Sequence, residues 1–213
     1  MRTSSLNITE IDVSNNINLI TLNLQTNANL TSIIGLSNCV DLQNLYIMTS
    51  GVTGTLDVSG NTNLTILQAY DCPNLTSIDA SGAALTQLRA ENCQSLTSID
   101  ASGTALTYLR AANCPLLSSV DLTGCTGFNN PTTDTLYLYD NPMLTSLDIS
   151  MTSFLHSSSR LQIQNCNMTS LIVPATGSTL AQWQGTPASS NNTTFHLTGN
   201  NFGSGNVGIT QAP

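Results

Sequence analysis

Cys72, Cys93 and Cys114 follow one another at intervals of 21 residues, while Cys39, Cys125 and Cys166 fall off that interval. A thiol can ligate zinc, form a disulfide, attack a substrate, or sit buried as a small apolar donor. Zinc sites draw on closely spaced ligand pairs; the chain has no Cys-x-x-Cys, and His156 and His196 stand alone. If the three cysteines occupy equivalent places in stacked units, their Cα atoms lie roughly 4.8 Å apart, within disulfide reach, but their side chains point the same way. The spacing predicts buried free thiols and no metal.

Carboxylates form a second regular set. Asp12, Asp57, Asp79, Asp100, Asp121 and Asp148 each follow Ile, Leu or Val and precede a Ser or Thr two residues on. An Asp in that place can accept a hydrogen bond from the turn backbone. Stacked carboxylates also repel one another, so bound calcium or raised pKa values are the alternative. An Asp-x-Asx-x-Asx-Gly calcium loop is absent from the sequence.

Both sets belong to one repeat. From Asn74 to Cys125, NLTSIDASGAALTQLRAENCQSLTSIDASGTALTYLRAANCPLLSSVDLTGC, the wording returns every 21 residues. A period of that size marks stacked units, none of which can bury its apolar side alone. Within each unit Leu-x-x-Leu-x-Ala sets positions 4 and 6 on one side of an extended segment and positions 3, 5 and 7 on the other. The turns Ser-Gly and Asn-Cys come too often for a helix of ordinary length, so both sides of each coil are predicted to be extended and to stack as parallel ladders.

Leu85-x-x-Leu88-x-Ala90-x-x-Cys93-x-x-Leu96 resembles the leucine-rich repeat consensus, with Ala in the sixth place. The LTSID-SG-ALT wording is similar to short repeats in surface proteins of gut Bacteroidetes and, more distantly, to internalin-like adhesins. The resemblance implies that the Asn/Cys position satisfies turn backbone from inside the coil and that the sheet side of the frame is the recognition surface.

The expected fold is a β-rich leucine-rich repeat solenoid of about 7–8 coils with little or no helix, with the Asn/Cys position running Asn27, Ser50, Cys72, Cys93, Cys114, Asn141, Cys166, Asn200. The solenoid is expected over 1–173, an irregular last coil or cap over 174–200 around Trp183, and a tail or linker over 201–213; Arg2 to Ile8 is the expected N-terminal cap.

Positions 3, 5 and 7 carry the functional signal. Position 5 holds Asn23, Tyr46, Gln68, Arg89, Arg110, Tyr137 and Gln162; position 3 holds Ile66, Gln87, Tyr108 and Thr135; position 7 holds Tyr70, Glu91, Ala112, Tyr139 and Gln164. Tyr and Arg combine large contact area with polar handles and are enriched at binding hot spots, and flat aromatic faces can stack on sugars. Against this stands the reading in which these side chains merely cover apolar ladders. Tyr46, Tyr70, Gln68, Gln87, Arg89, Tyr108, Arg110, Tyr137 and Tyr139 are the expected binding residues.

Composition narrows the partner. Charged residues make up 8% of the chain, the net charge is -8, and the basic residues are four arginines with no lysine. That leaves no row of cations for a nucleic-acid backbone, and no run of apolar residues is long enough to span a membrane. No Gly-x-Ser-x-Gly, phosphate-binding loop or His-Glu-x-x-His is present, so an enzyme is disfavoured; a glycosidase or lyase on an unrelated parallel β-helix is the enzymatic alternative.

The expected function is non-enzymatic recognition of a cell-surface protein or glycan by a bacterial surface or secreted adhesin, without cofactor, as part of a larger multidomain chain. A bacteriophage tail fibre or other virion protein, and a structural spacer, are the alternatives. The N-terminus lacks a basic segment followed by an apolar run and so does not read as a secretory signal. Asn-x-Ser/Thr sequons at Asn7, Asn29, Asn63, Asn74, Asn167 and Asn192 come with the repeated NLT wording; they matter only in a eukaryotic secretory pathway.

Overall fold

The computed structural model describes residues 7–130, 134–152, 160–175, 195–196, 200–202 and 208–211. The chain winds as short strands that alternate between two walls. The first wall is an eight-stranded parallel sheet, here sheet A, whose strands are successive in space. They are β2 (Thr21–Asn23), β4 (Asn44–Tyr46), β6 (Ile66–Gln68), β8 (Gln87–Arg89), β10 (Tyr108–Arg110), β12 (Thr135–Tyr137), β14 (Leu161–Gln162) and β16 (Phe195–His196).

The return wall carries β1 (Glu10–Asp12), β3 (Ser32–Ile34), β5 (Gly54–Asp57), β7 (Leu75–Asp79), β9 (Ser98–Asp100), β11 (Ser119–Asp121), β13 (Ser146–Asp148), β15 (Ser170–Val173) and β17 (Ile209–Gln211). A single 3-10 turn, Leu36–Asn38, is the helical element among the described residues. The structure is thus the parallel β-solenoid that the repeat predicts.

Alternation within each strand separates core from surface. Leu22, Leu45, Leu67, Leu88, Leu109, Leu136 and Leu161 are partners in register through sheet A, and every one is fully buried. Each such side chain contributes about 1.5–3 kcal/mol by leaving water. On the return wall Leu56, Ile78, Ile99 and Val120 stack likewise. One continuous core runs between the walls from Val13 to Ile209.

Corners need backbone that L-residues adopt reluctantly. Thr26, Thr49, Asp71, Asn92, Asn113, Asp140 and Asn165 all have φ of 56–60°. Each sits just before the Asn/Cys position, and Asn and Asp bear that left-handed conformation more readily than other side chains. The opposite corner uses Gly82, Gly103 and Gly124 at φ 69–71°.

Threonine hydroxyls tie the coils together on the outside. Thr86 Oγ1 donates to Thr65 O at 3.2 Å and Thr107 Oγ1 to Thr86 O at 3.3 Å. A second ladder runs Thr53 to Thr31 and Thr97 to Thr76. The Ser/Thr-rich surface therefore also satisfies carbonyls of the preceding coil.

The return wall is divided into sheets of two, four and three strands. Its breaks, between β3 and β5 and between β11 and β13, sit where the repeat is expanded. The first adjoins the 3-10 turn and a register shift at Gly54/Thr55. The second adjoins the enlarged corner that sets Leu136 27 residues after Leu109 instead of 21.

Where the sequence predicts a tail from residue 201, Ile209–Gln211 instead pairs with β15 as the last strand of the return wall. The expected N-terminal cap up to residue 6, Trp183, His156 and Leu197 lie outside the described residues.

Candidate recognition face

The cysteine column performs a structural task. Sγ of Cys72, Cys93, Cys114 and Cys166 donates to the carbonyl of Ile47, Ala69, Ala90 and Leu138 at 3.1, 3.1, 3.2 and 2.9 Å. Each acceptor is the sixth frame position of the preceding coil. Asn141 Nδ2 donates to Ala111 O at 2.8 Å and Asn200 Nδ2 to Ile163 O at 2.8 Å, the same relationship with an amide in place of the thiol. Asn141 Oδ1 also accepts from Cys114 N.

All six cysteines are free and buried. Burial pushes the Cys114 thiol up to about 11 and the Cys166 thiol up to about 12, and raises Cys93 further still. A buried protonated thiol keeps its donor hydrogen and loses its nucleophilicity.

The aspartate row is equally occupied. Oδ1 of Asp12, Asp57, Asp79, Asp100, Asp121 and Asp148 accepts from the N–H of Ser14, Ser59, Ser81, Ser102, Thr123 and Ser150 at 2.8–3.1 Å. Hydrogen bonds from the hydroxyl and N–H of Ser14 and Thr123 hold Asp12 and Asp121 below the usual carboxylate range. At these two the direction is the reverse of the raised values allowed for by stacking, because the local donors outweigh desolvation by burial. No three His, Cys, Asp or Glu side chains converge as a metal site among the described residues.

The nine expected binding residues all stand on the outward face of sheet A, and all are half-buried. Tyr46, Gln68, Arg89, Arg110 and Tyr137 form one column in register across five adjacent strands. Gln87 and Tyr108 are register partners in the column beside it.

Six of the nine join in a contact network centred on Glu91. The Arg89 guanidinium grips Glu91 through Nε at 3.1 Å and 3.3 Å and through Nη2 at 2.9 Å. It also lies over the Tyr70 ring, 4.4 Å from the centroid. Arg110 Nε approaches the same carboxylate at 3.2 Å but without hydrogen-bonding alignment. Its Nη1 reaches Tyr108 Oη at 3.4 Å, and its guanidinium covers Tyr137 at 5.4 Å. Tyr137 and Tyr139 meet at 6.3 Å with a 53° tilt. Tyr46, Gln68 and Gln87 flank this cluster on the same face.

Two charged members of the face escaped the expected set. Glu91 is 5% exposed and bridges two cations; its signal was the Arg89-x-Glu91 alternation, which puts opposite charges side by side on an extended strand. Arg160 precedes Leu161 and donates from Nη1 to Thr135 Oγ1 at 3.2 Å; its signal was position 3 of the seventh frame.

Other concavities lie on the return wall at the sheet breaks. One of about 360 Å³ is lined by Ser32, Gly35, Thr53, Thr55 and Asp57 among others; one of about 290 Å³ lies between β11 and β13. Both mix Ser and Thr with apolar residues and Asp. No helix among the described residues is long and apolar enough to cross a membrane.

No family model and no curated protein matches the chain. Among solved structures it is similar to one described as the functional domain of InlJ from Listeria monocytogenes, which includes a cysteine ladder. The identity is 20% and the TM-score 0.38, with 90% of this chain and 52% of that one covered, so this chain spans about half the length of that structure.

Proposed function

We propose that the solenoid is a non-enzymatic recognition module, displayed outside the cell on a bacterial surface, that holds a macromolecular partner against the outward face of sheet A. The supporting observation is the network around Glu91. Large side chains with polar tips are gathered on one wall and are held by one another before any partner arrives. Side chains already ordered lose less entropy on binding, and Tyr and Arg are the types that anchor interfaces. The opposite wall offers Ser, Thr and Asp whose hydrogen-bonding groups are largely engaged with their own backbone.

A screen of displayed surface proteins and glycans, run with the native chain and with Tyr108→Ala and Arg110→Ala, tests the reading. A ligand held by the native chain and weakened about tenfold or more by both substitutions, the scale of a hot-spot residue, supports it. Equal binding by all three chains puts recognition elsewhere.

A further inference from the structure

We infer that the partner of sheet A is an acidic polypeptide surface, an inference that rests on sheet A being the recognition face. The described cations of this solenoid are gathered on one wall. The three described arginines, Arg89, Arg110 and Arg160, are all on the outward side of sheet A, with Glu91 among them and Asp71, Asp134 and Asp140 just outside the ends of its strands. Glu10 and the aspartate row occupy the return wall, within a chain of net charge -8. Such an arrangement draws an acidic partner to one wall and repels it from the other.

The guanidinium groups have donors to spare. Arg89 is committed to Glu91 by three hydrogen bonds. Arg110 is engaged by Tyr108 Oη, Tyr139 and Glu91, whereas Arg160 bonds to Thr135 Oγ1; each guanidinium carries five N–H donors in a fork that matches a carboxylate. Arg160 is also exposed. A carboxylate arriving from solvent therefore finds unfilled donors at Arg160, beside the half-buried Arg110 guanidinium.

Ring orientation favours a polypeptide over a carbohydrate. Stacking on a sugar needs an open ring face, yet one face of Tyr70 lies under Arg89 and one face of Tyr137 under Arg110. Tyr137 and Tyr139 are tilted against each other instead of forming a flat platform. Rings tilted and partly covered in this way offer edges and hydroxyls along with faces, which suits the mixed apolar and hydrogen-bonding contacts of protein interfaces.

The test is selection of a displayed random peptide library on the native chain, on Tyr108→Ala, on Arg160→Ala and on Arg110→Ala/Arg160→Ala, at low and high salt, with polygalacturonate binding measured in parallel. The expected result is enrichment of Asp/Glu-rich peptides on the native chain, with affinity falling about tenfold in the double arginine variant and falling again at high salt as the charges are screened. Arg160→Ala, at an exposed position, keeps the comparison valid if the double variant is unstable.

Enrichment of neutral or basic peptides, no enrichment, or acidic peptides indifferent to both arginine variants overturns the inference. Polygalacturonate held through the arginines in place of acidic peptides also overturns it. In that case, and where neutral peptides depend on Tyr108, the recognition face stands and its charge preference falls; peptides indifferent to Tyr108 and to the arginines remove both.

Discussion

The Cys93 thiol donates to the carbonyl of Ala69, 3.1 Å away in the preceding coil. A hydrogen-bond donor directed backward along the axis at Cys72, Cys93, Cys114, Asn141, Cys166 and Asn200 explains why Asn and Cys interchange in this column: each offers an inward donor of similar reach.

Cys93→Ala removes the donor and leaves a buried carbonyl unpaired, which costs about 1–3 kcal/mol. Cys93→Ser keeps a donor and is expected to cost less than the alanine. Urea unfolding of the two variants measures this; an alanine that is no worse than the serine would mean that the thiol serves as filling alone.

Stability should decline on both sides of neutral pH. The buried thiols have folded pKa values raised above the unfolded value, to about 11 for Cys114 and about 12 for Cys166. Below the unfolded pKa of about 8.5 both states keep the proton; above it the unfolded chain ionises first and stability is lost as pH rises toward the folded values. Asp12 and Asp121 are lowered in the fold, so their contribution is present above about pH 4 and lost as pH falls. Thermal unfolding across pH should show a plateau between roughly pH 5 and 8; stability that rises above pH 9 would contradict thiol burial.

The two arginines at Glu91 should not be equivalent. Arg89 makes three aligned hydrogen bonds to the carboxylate, whereas Arg110 Nε lies near it without alignment. Double-mutant cycles on stability are expected to give about 1 kcal/mol of coupling for Arg89 with Glu91 and clearly less for Arg110 with Glu91, both guanidinium groups being partly solvated. A larger coupling at Arg110 would mean that the carboxylate is held the other way.

Much of this architecture was legible because period and alternation encode it twice. The 21-residue spacing places Leu88 over Leu67 and under Leu109, and the 2-residue alternation turns Arg89 away from them. The aspartate turns were legible for the same reason, since Asp100 and Ser102 recur as a pair. What depends on side-chain reach was hidden. Frame position alone does not say that Glu91 bridges Arg89 and Arg110, or that guanidinium groups cover the faces of Tyr70 and Tyr137. The breaks in the return wall were hidden too, because they arise from how the longer corners at Leu36–Asn38 and after Cys125 displace the next strand. The last strand, Ile209–Gln211, carries too little repeat wording to be recognised without its partner β15.

Adjacent residues of β8 test the central claim, that one strand gives alternate side chains to the core and to the recognition face. Leu88 is fully buried and Gln87 is half-buried on the outward side. In urea unfolding, Leu88→Ala should lose about 2–5 kcal/mol as a core cavity and Gln87→Ala about 0.5 kcal/mol or less. Equal losses, or a greater loss at Gln87, would turn the wall inside out and take the proposed recognition face with it.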